Sequence, residues 1–206
     1  MAAAPAVAAI LFKWRKIMTI TDVNLCSNAL IKIGASPLTS FEDGTAEAEV
    51  AANLYPQIRD ALLSSYPWSF AVGQKTLARL ESRPLADFKY AYALPYDFLR
   101  IISAGNAGRG SGLEYRIFEN KMHTNAEHVT ITYIFRPHVD TFPAFFVEAL
   151  MARLAAEFCI PLTESTTRAD FLSRLAEDAI TQARLIDAQQ ATPRKFEDFT
   201  LVEARQ

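Results

Sequence analysis

The stretch Thr141–Ile160, TFPAFFVEALMARLAAEFCI, limits the possible folds of this chain more than any other. Its apolar residues, among them Phe145, Ala149, Ala152, Leu154, Ala156 and Phe158, recur at helical spacing. They also spread over most of the helix circumference. A helix that is apolar on most sides has to be enclosed by other elements. The segment therefore predicts a central, buried helix over about 141–160. Pro143 suits its first turn, and Pro161 is expected to end it.

Three further helices are expected to supply the enclosure. Thr21 or Asp22 caps the first, over about 21–34. Its stripe is Val23, Leu25, Cys26, Ala29, Leu30 and Ile33, and Gly34 and Pro37 mark its end. Thr45 caps the second, over about 45–66, with Glu47 and Glu49 in its first turns. Pro56 lies inside and is expected to kink it. Pro67 is expected to end it, because the residue before a proline avoids the helical region. Thr163 or Ser165 caps the last helix, over about 163–190. Phe171, Leu172, Leu175, Ala179, Ile180, Ala183 and Ile186 are expected to face inward. Arg174, Glu177, Asp178 and Arg184 are expected to face outward.

Between the second and third helices the period changes from helical to alternating. Residues 74–136 predict an antiparallel β-rich insert. Lys75–Leu80, Tyr90–Leu94 and Phe98–Ile102 are candidate strands, and HVTITYIF (His128–Phe135) alternates most cleanly. Leu113–Phe118 and Lys121–Thr124 flank Glu119-Asn120, a two-residue hairpin turn. The glycine cluster GNAGRGSG (Gly105–Gly112) falls between strands. A phosphate cradle needs a helix after it, so the cluster reads as a hairpin loop. The fold class is α+β, mainly α: a helical bundle with an antiparallel β-rich insert. Residues 18–190 form one domain. An extended tail, 191–206, carries Phe196, Phe199, Leu201 and Val202 between charges, as in a strand that pairs with another chain.

A 206-residue chain that is half hydrophobic can bury a core without disulfides or metals. The formal charge of −2 comes with no basic stripe for gripping nucleic acid. Cys26 and Cys159 read as buried thiols acting as small hydrophobes, and synthesis in the cytosol is expected. His123, His128 and His138 lack metal-ligand spacing. The carboxylate pairs Glu42/Asp43 and Glu197/Asp198 read as solvated. No nucleophile elbow, P-loop or dinucleotide fingerprint occurs. The chain therefore reads as a non-enzyme with no cofactor and no metal. In residues 1–17 an apolar run precedes Lys13, Arg15 and Lys16. That order is the reverse of a signal peptide, and the run is too short to span a membrane. Two readings stay open: an extension upstream of a start at Met18, or a short amphipathic arm that docks on a neighbour.

Several segments, in order, resemble the tail tubular protein A family of phage head–tail adaptors, which includes gene transfer agent adaptors. CSNALIKIGA (Cys26–Ala35) is similar to the family's opening helix with its terminal glycine turn. RDALLSSYPWSFA (Arg59–Ala71) resembles the end of its second helix, with the Trp-x-Phe of Trp68 and Phe70. ALPYDFLR (Ala93–Arg100), YRIF (Tyr115–Phe118) and VTITYIFR (Val129–Arg136) resemble the strands that follow. The likeness spans roughly residues 20–190; the extension before Met18 has no counterpart. Each motif is short, and their order and spacing carry the weight.

The resemblance implies a structural subunit of a virion or phage-like particle at the head–tail junction. It implies a ring of twelve copies between the portal protein and the tail or stopper protein, with double-stranded DNA passing through unread. It implies helical bundles side by side, and a C-terminal tail that docks on the portal through Phe196, Phe199, Leu201 and Val202. Pro67, Trp68 and Phe70 are expected to act as a fold lock, with Trp68 and Phe70 packed on the core beyond a helix stopped at Pro67. Two other classes stay open from the residues alone. One is a small α+β enzyme with an unrecognised site in the insert. The other is a regulatory protein anchored to a membrane by residues 1–17.

Overall fold

The computed structural model describes residues 20–106 and 111–190. Four α-helices and two small antiparallel sheets make up the described part, an α+β fold. Helix α1 spans Asp22–Lys32. Thr21 caps it, its hydroxyl accepting from the Asn24 amide at 3.2 Å. Gly34 follows at φ +78°, a left-handed position that glycine takes without the clash a Cβ would bring. Helix α2 spans Ala46–Ser65, and Thr45 caps it through the Ala48 amide. It is helical throughout, across Pro56. Tyr66 is extended (φ −146°, ψ 145°), as a residue before proline should be.

Helix α3 spans Ala144–Thr163 and is the hub; α1, α2 and α4 all pack on it. Nine of its residues are buried, including Phe146, Leu150, Leu154 and Phe158, so the expected central helix is present. Its ends differ from the expectation. Pro143 is the N-cap, one position before the first turn. Pro161 does not end the helix but lies inside it. The helix stops three residues later, where Glu164 turns left-handed (φ 54°) and its amide closes on the Ile160 carbonyl. Helix α4 spans Thr166–Ala188, and Ser165 rather than Thr163 caps it.

Strands β1 (Val72–Thr76), β2 (Tyr90–Ala93) and β3 (Phe98–Gly105) are followed by β4 (Tyr115–Phe118), β5 (Lys121–Thr124) and β6 (Thr130–Phe135). The β-rich insert forms two antiparallel sheets. The first has the order β1-β6-β3 and the second β2-β5-β4. The first strand begins at Val72 and stops at Thr76, short of the expected Lys75–Leu80; beyond it Arg79 makes an isolated antiparallel bridge to Tyr92 of β2. Glu119 and Asn120 both have positive φ (48° and 59°), the mark of the tight turn that matches strand twist. Strand β6 serves two cores. Ile131 and Tyr133 join Leu77, Tyr92 and Met122 in a small β core. Ile134, on the opposite face, is fully buried in the helical core.

Apart from its own chain neighbours, nothing among the described residues lies within 4 Å of the site where a Gly34 Cβ would project. Gly34→Ala should therefore cost backbone strain alone, about 1 kcal/mol. A urea titration checks this: the midpoint should fall while the slope stays unchanged. An unshifted midpoint would mean that the turn is not left-handed in solution.

Candidate interaction surface

Residues 60–71 form the joint between the helices and the first sheet. Trp68 is fully buried, and its indole N–H donates to the Leu62 carbonyl at 3.1 Å. Its ring meets Tyr66 and Phe146 edge-on, at 5.0 and 5.1 Å between centroids. Phe70 is half-buried against Phe142 and Phe146, at the start of α3. A tryptophan of this size buries roughly 150–250 Å², on the order of 4–6 kcal/mol of transfer free energy. Pro67 is exposed and acts on the backbone alone. Behind Trp68 the chain makes one 3-10 turn, Ser69–Ala71, and enters β1.

Two carboxylates complete the joint. Asp187, near the end of α4, is only 3% exposed. It accepts from the Ser69 amide (3.0 and 3.1 Å) and the Ser69 hydroxyl (2.6 Å). Asp60, on α2, accepts from Arg136 Nε at 3.0 and 3.1 Å, from Arg136 Nη2, and from Arg59 Nε at 2.9 Å. Arg136 in turn leaves the end of β6, and its amide donates to the Asp97 carbonyl. Burial pushes the Asp60 carboxyl up, but the two guanidinium groups outweigh it and hold the carboxyl below its ordinary range. Neither partner is visible from sequence spacing: Asp60 and Arg136 are 76 residues apart, Ser69 and Asp187 118.

Helix α4 presents only part of the expected face to the core: Ala183 is buried there and Leu172 and Ile180 pack against it, but Phe171, Leu175 and Ile186 do not. Its buried line is Ala169, Ala176, Ala183 and Asp187. Alanines two turns apart let α4 lie close against α3. Of the large residues expected inward, Phe171 is 62% exposed and Leu175 46%, and Ile186 is exposed as well; Leu172, Ala179 and Ile180 are half-buried. Leu185 adds to the outer stripe. The seven-residue alanine spacing was the available signal, and the larger hydrophobes masked it.

On the other side of α4 an open groove of about 460 Å³ runs between α2 and α4, across α3. Leu54, Ile58, Ala61 and Ile180 give it apolar walls. The Arg153–Glu157 pair, at 2.6 Å, lies along it. Arg184, expected outward, is half-buried in its wall. Its guanidinium sits 5.6 Å over the Tyr66 ring, and Nη2 reaches the Ser65 hydroxyl at 3.3 Å. Its Nε is enclosed without a hydrogen-bond partner among the described residues.

The other sequence candidates are dispersed. Phe196, Phe199, Leu201 and Val202, like Glu197/Asp198 and residues 1–17, lie outside the described residues. Cys26 and Cys159 are free and buried. Burial, with the nearby Asp22 charge, pushes the Cys26 thiol up to about 12, so it is an inert packing group. His138 pairs with Asp140 at the surface, and His123 lies against Phe118. Asp43 is not simply solvated. It accepts from the Thr39 and Ser40 amides and closes its own loop, and those bonds draw its carboxyl down. Among the described residues no group of His, Cys, Asp or Glu is placed to hold a metal ion, and no helix is long and apolar enough to cross a membrane. No protein-family model matches the chain, and no curated protein matches it.

Asp60 yields a prediction with a definite sign. Its folded-state proton affinity is lowered, so its contribution to stability is complete above the unfolded carboxyl pKa of about 4. It disappears as pH falls through the lower folded value. Asp60→Asn should therefore destabilise the chain most at neutral pH and least in strong acid. Urea midpoints of both proteins across pH 2–7 should converge at the acid end; parallel curves would contradict the pairing. Asp187→Ala leaves the Ser69 donors without their acceptor and should cost about 1–3 kcal/mol, read from the same titration at pH 7.

Proposed function

We propose that the chain is a structural head–tail adaptor subunit. In this reading it forms a ring between the portal and the tail of a tailed phage or phage-like particle, and DNA passes through the channel. The observation that carries the reading is the second apolar face of α4. The helix spends its alanine line on α3 and leaves Phe171, Leu175, Leu185 and Ile186 outside. A helix with two apolar faces suits a subunit whose bundle stands beside other bundles. The ordered likeness of five segments to the adaptor family supplies the class of assembly.

The mechanism is association. Each contact is weak by itself, and closure of a ring shares the binding free energy over many copies. A near-neutral subunit, with a net charge of −2, suits a channel through which duplex passes, since a basic wall would hold the phosphates. The tail, residues 191–206, is the portal-docking segment in this reading, through Phe196, Phe199, Leu201 and Val202. Tail or stopper protein meets the ring on its other side.

Removal of residues 191–206 tests the assignment. The truncated chain should keep its circular dichroism and its unfolding midpoint. It should lose most of its attachment to the portal protein encoded in the same genome, measured by co-sedimentation. Unchanged attachment would remove the docking role from the tail. A full-length chain that never binds portal, at any salt concentration, would overturn the adaptor reading itself.

A further inference from the structure

Helix α4 carries two features on opposite sides. At about 100° per residue, Phe171, Leu175, Leu185 and Ile186 cluster on one flank, and Ile180 and Arg184 fall nearly opposite. The first flank is a ridge of exposed apolar side chains, with the exposed Asp178 and Gln182 between its two ends. The second is a wall of the groove between α2 and α4. From Phe171 to Ile186 the ridge is about 22 Å long, and the groove wall along α2 from Leu54 to Ser65 is about 16 Å, at 1.5 Å per residue.

We infer that the ridge of one copy seats in the α2–α4 groove of the next, so that copies of this chain join head to tail. A closed ring needs such a heterologous contact, with two different patches on different flanks of one subunit. A ridge on one side of α4 and a groove on the other meet that demand; a single sticky patch would give a two-fold dimer instead.

Charge supports the pairing. Asp178 stands on the ridge between Leu175 and Leu185, exposed, with no cation within 4 Å among the described residues. Arg184 stands half-buried in the groove wall without a carboxylate partner among the described residues. A ridge seated in the groove brings the neighbour's carboxylate to this guanidinium while Leu175 and Phe171 cover Leu54, Ile58 and Ala61. The inference rests on the ring reading only for its demand that copies associate, and its test uses no portal.

The test is covalent trapping of the full chain at high concentration. Leu175→Cys marks the ridge and Ala61→Cys the groove; the native cysteines are buried. A short bis-maleimide should convert the double variant into a ladder of dimers, trimers and larger species, and leave each single variant monomeric. Asp178→Arg added to the double variant should weaken the ladder several-fold, and Arg184→Glu added in turn should restore it. Dimers from Leu175→Cys alone would show that the ridge meets itself and would overturn the head-to-tail contact. A double variant that stays monomeric would overturn it too. Portal attachment, measured separately, decides the adaptor reading whichever way the ladder falls.

Discussion

The burial of Trp68 is the interaction on which the rest of the structure depends. Its ring closes the helical core just where the chain leaves α2 and enters β1. The indole nitrogen is satisfied by the last turn of α2, so the apolar gain carries no unpaired donor. On either side of it distant elements are tied together: Asp187 brings α4 to Ser69, and Asp60 brings α2 to Arg136 beyond β6. The segment that most resembles the adaptor family is thus an internal joint.

The second organising feature is that two elements each serve two neighbours. Strand β6 sends Ile134 into the helical core and Ile131 and Tyr133 into the β core. This makes the first sheet a middle layer that couples the helices to the second sheet. Helix α4 faces α3 with alanines and faces outward with phenylalanine, leucine and isoleucine. In β6 both faces are used within the chain. In α4 one face is left over, and the proposed assembly follows from that difference.

Much of the fold was legible in the sequence, because local chemistry sets it. Thr21, Thr45 and Ser165 cap helices through their own hydroxyls, and Gly34 turns left-handed after α1. Glu119 and Asn120 make the hairpin. Legibility failed where tertiary context overrides local preference. Pro161 stays helical because the turn that stops α3 is made by Glu164. The division of the alternating region into two sheets depends on which strands pair, and β6 lies between β1 and β3, far from both in sequence. Half of the α4 stripe, Leu172, Ile180 and Ala183, lies against the core, but Phe171, Leu175 and Ile186 point away from it, and there a rule that buries the most apolar residues fails. Asp187 was missed and Arg184 placed outward because their partners, Ser69 and Ser65, lie more than a hundred residues away in sequence, just beyond and at the end of α2.

The adaptor account places this chain in a closed ring at the head–tail junction. Electron cryomicroscopy of particles from cells that express it measures that directly. The account predicts density for a closed ring of these subunits between portal and tail, with α4 at the boundary between neighbouring copies. Particles complete at that junction without this chain, or a ring in which the outer stripe of α4 faces solvent, would contradict it.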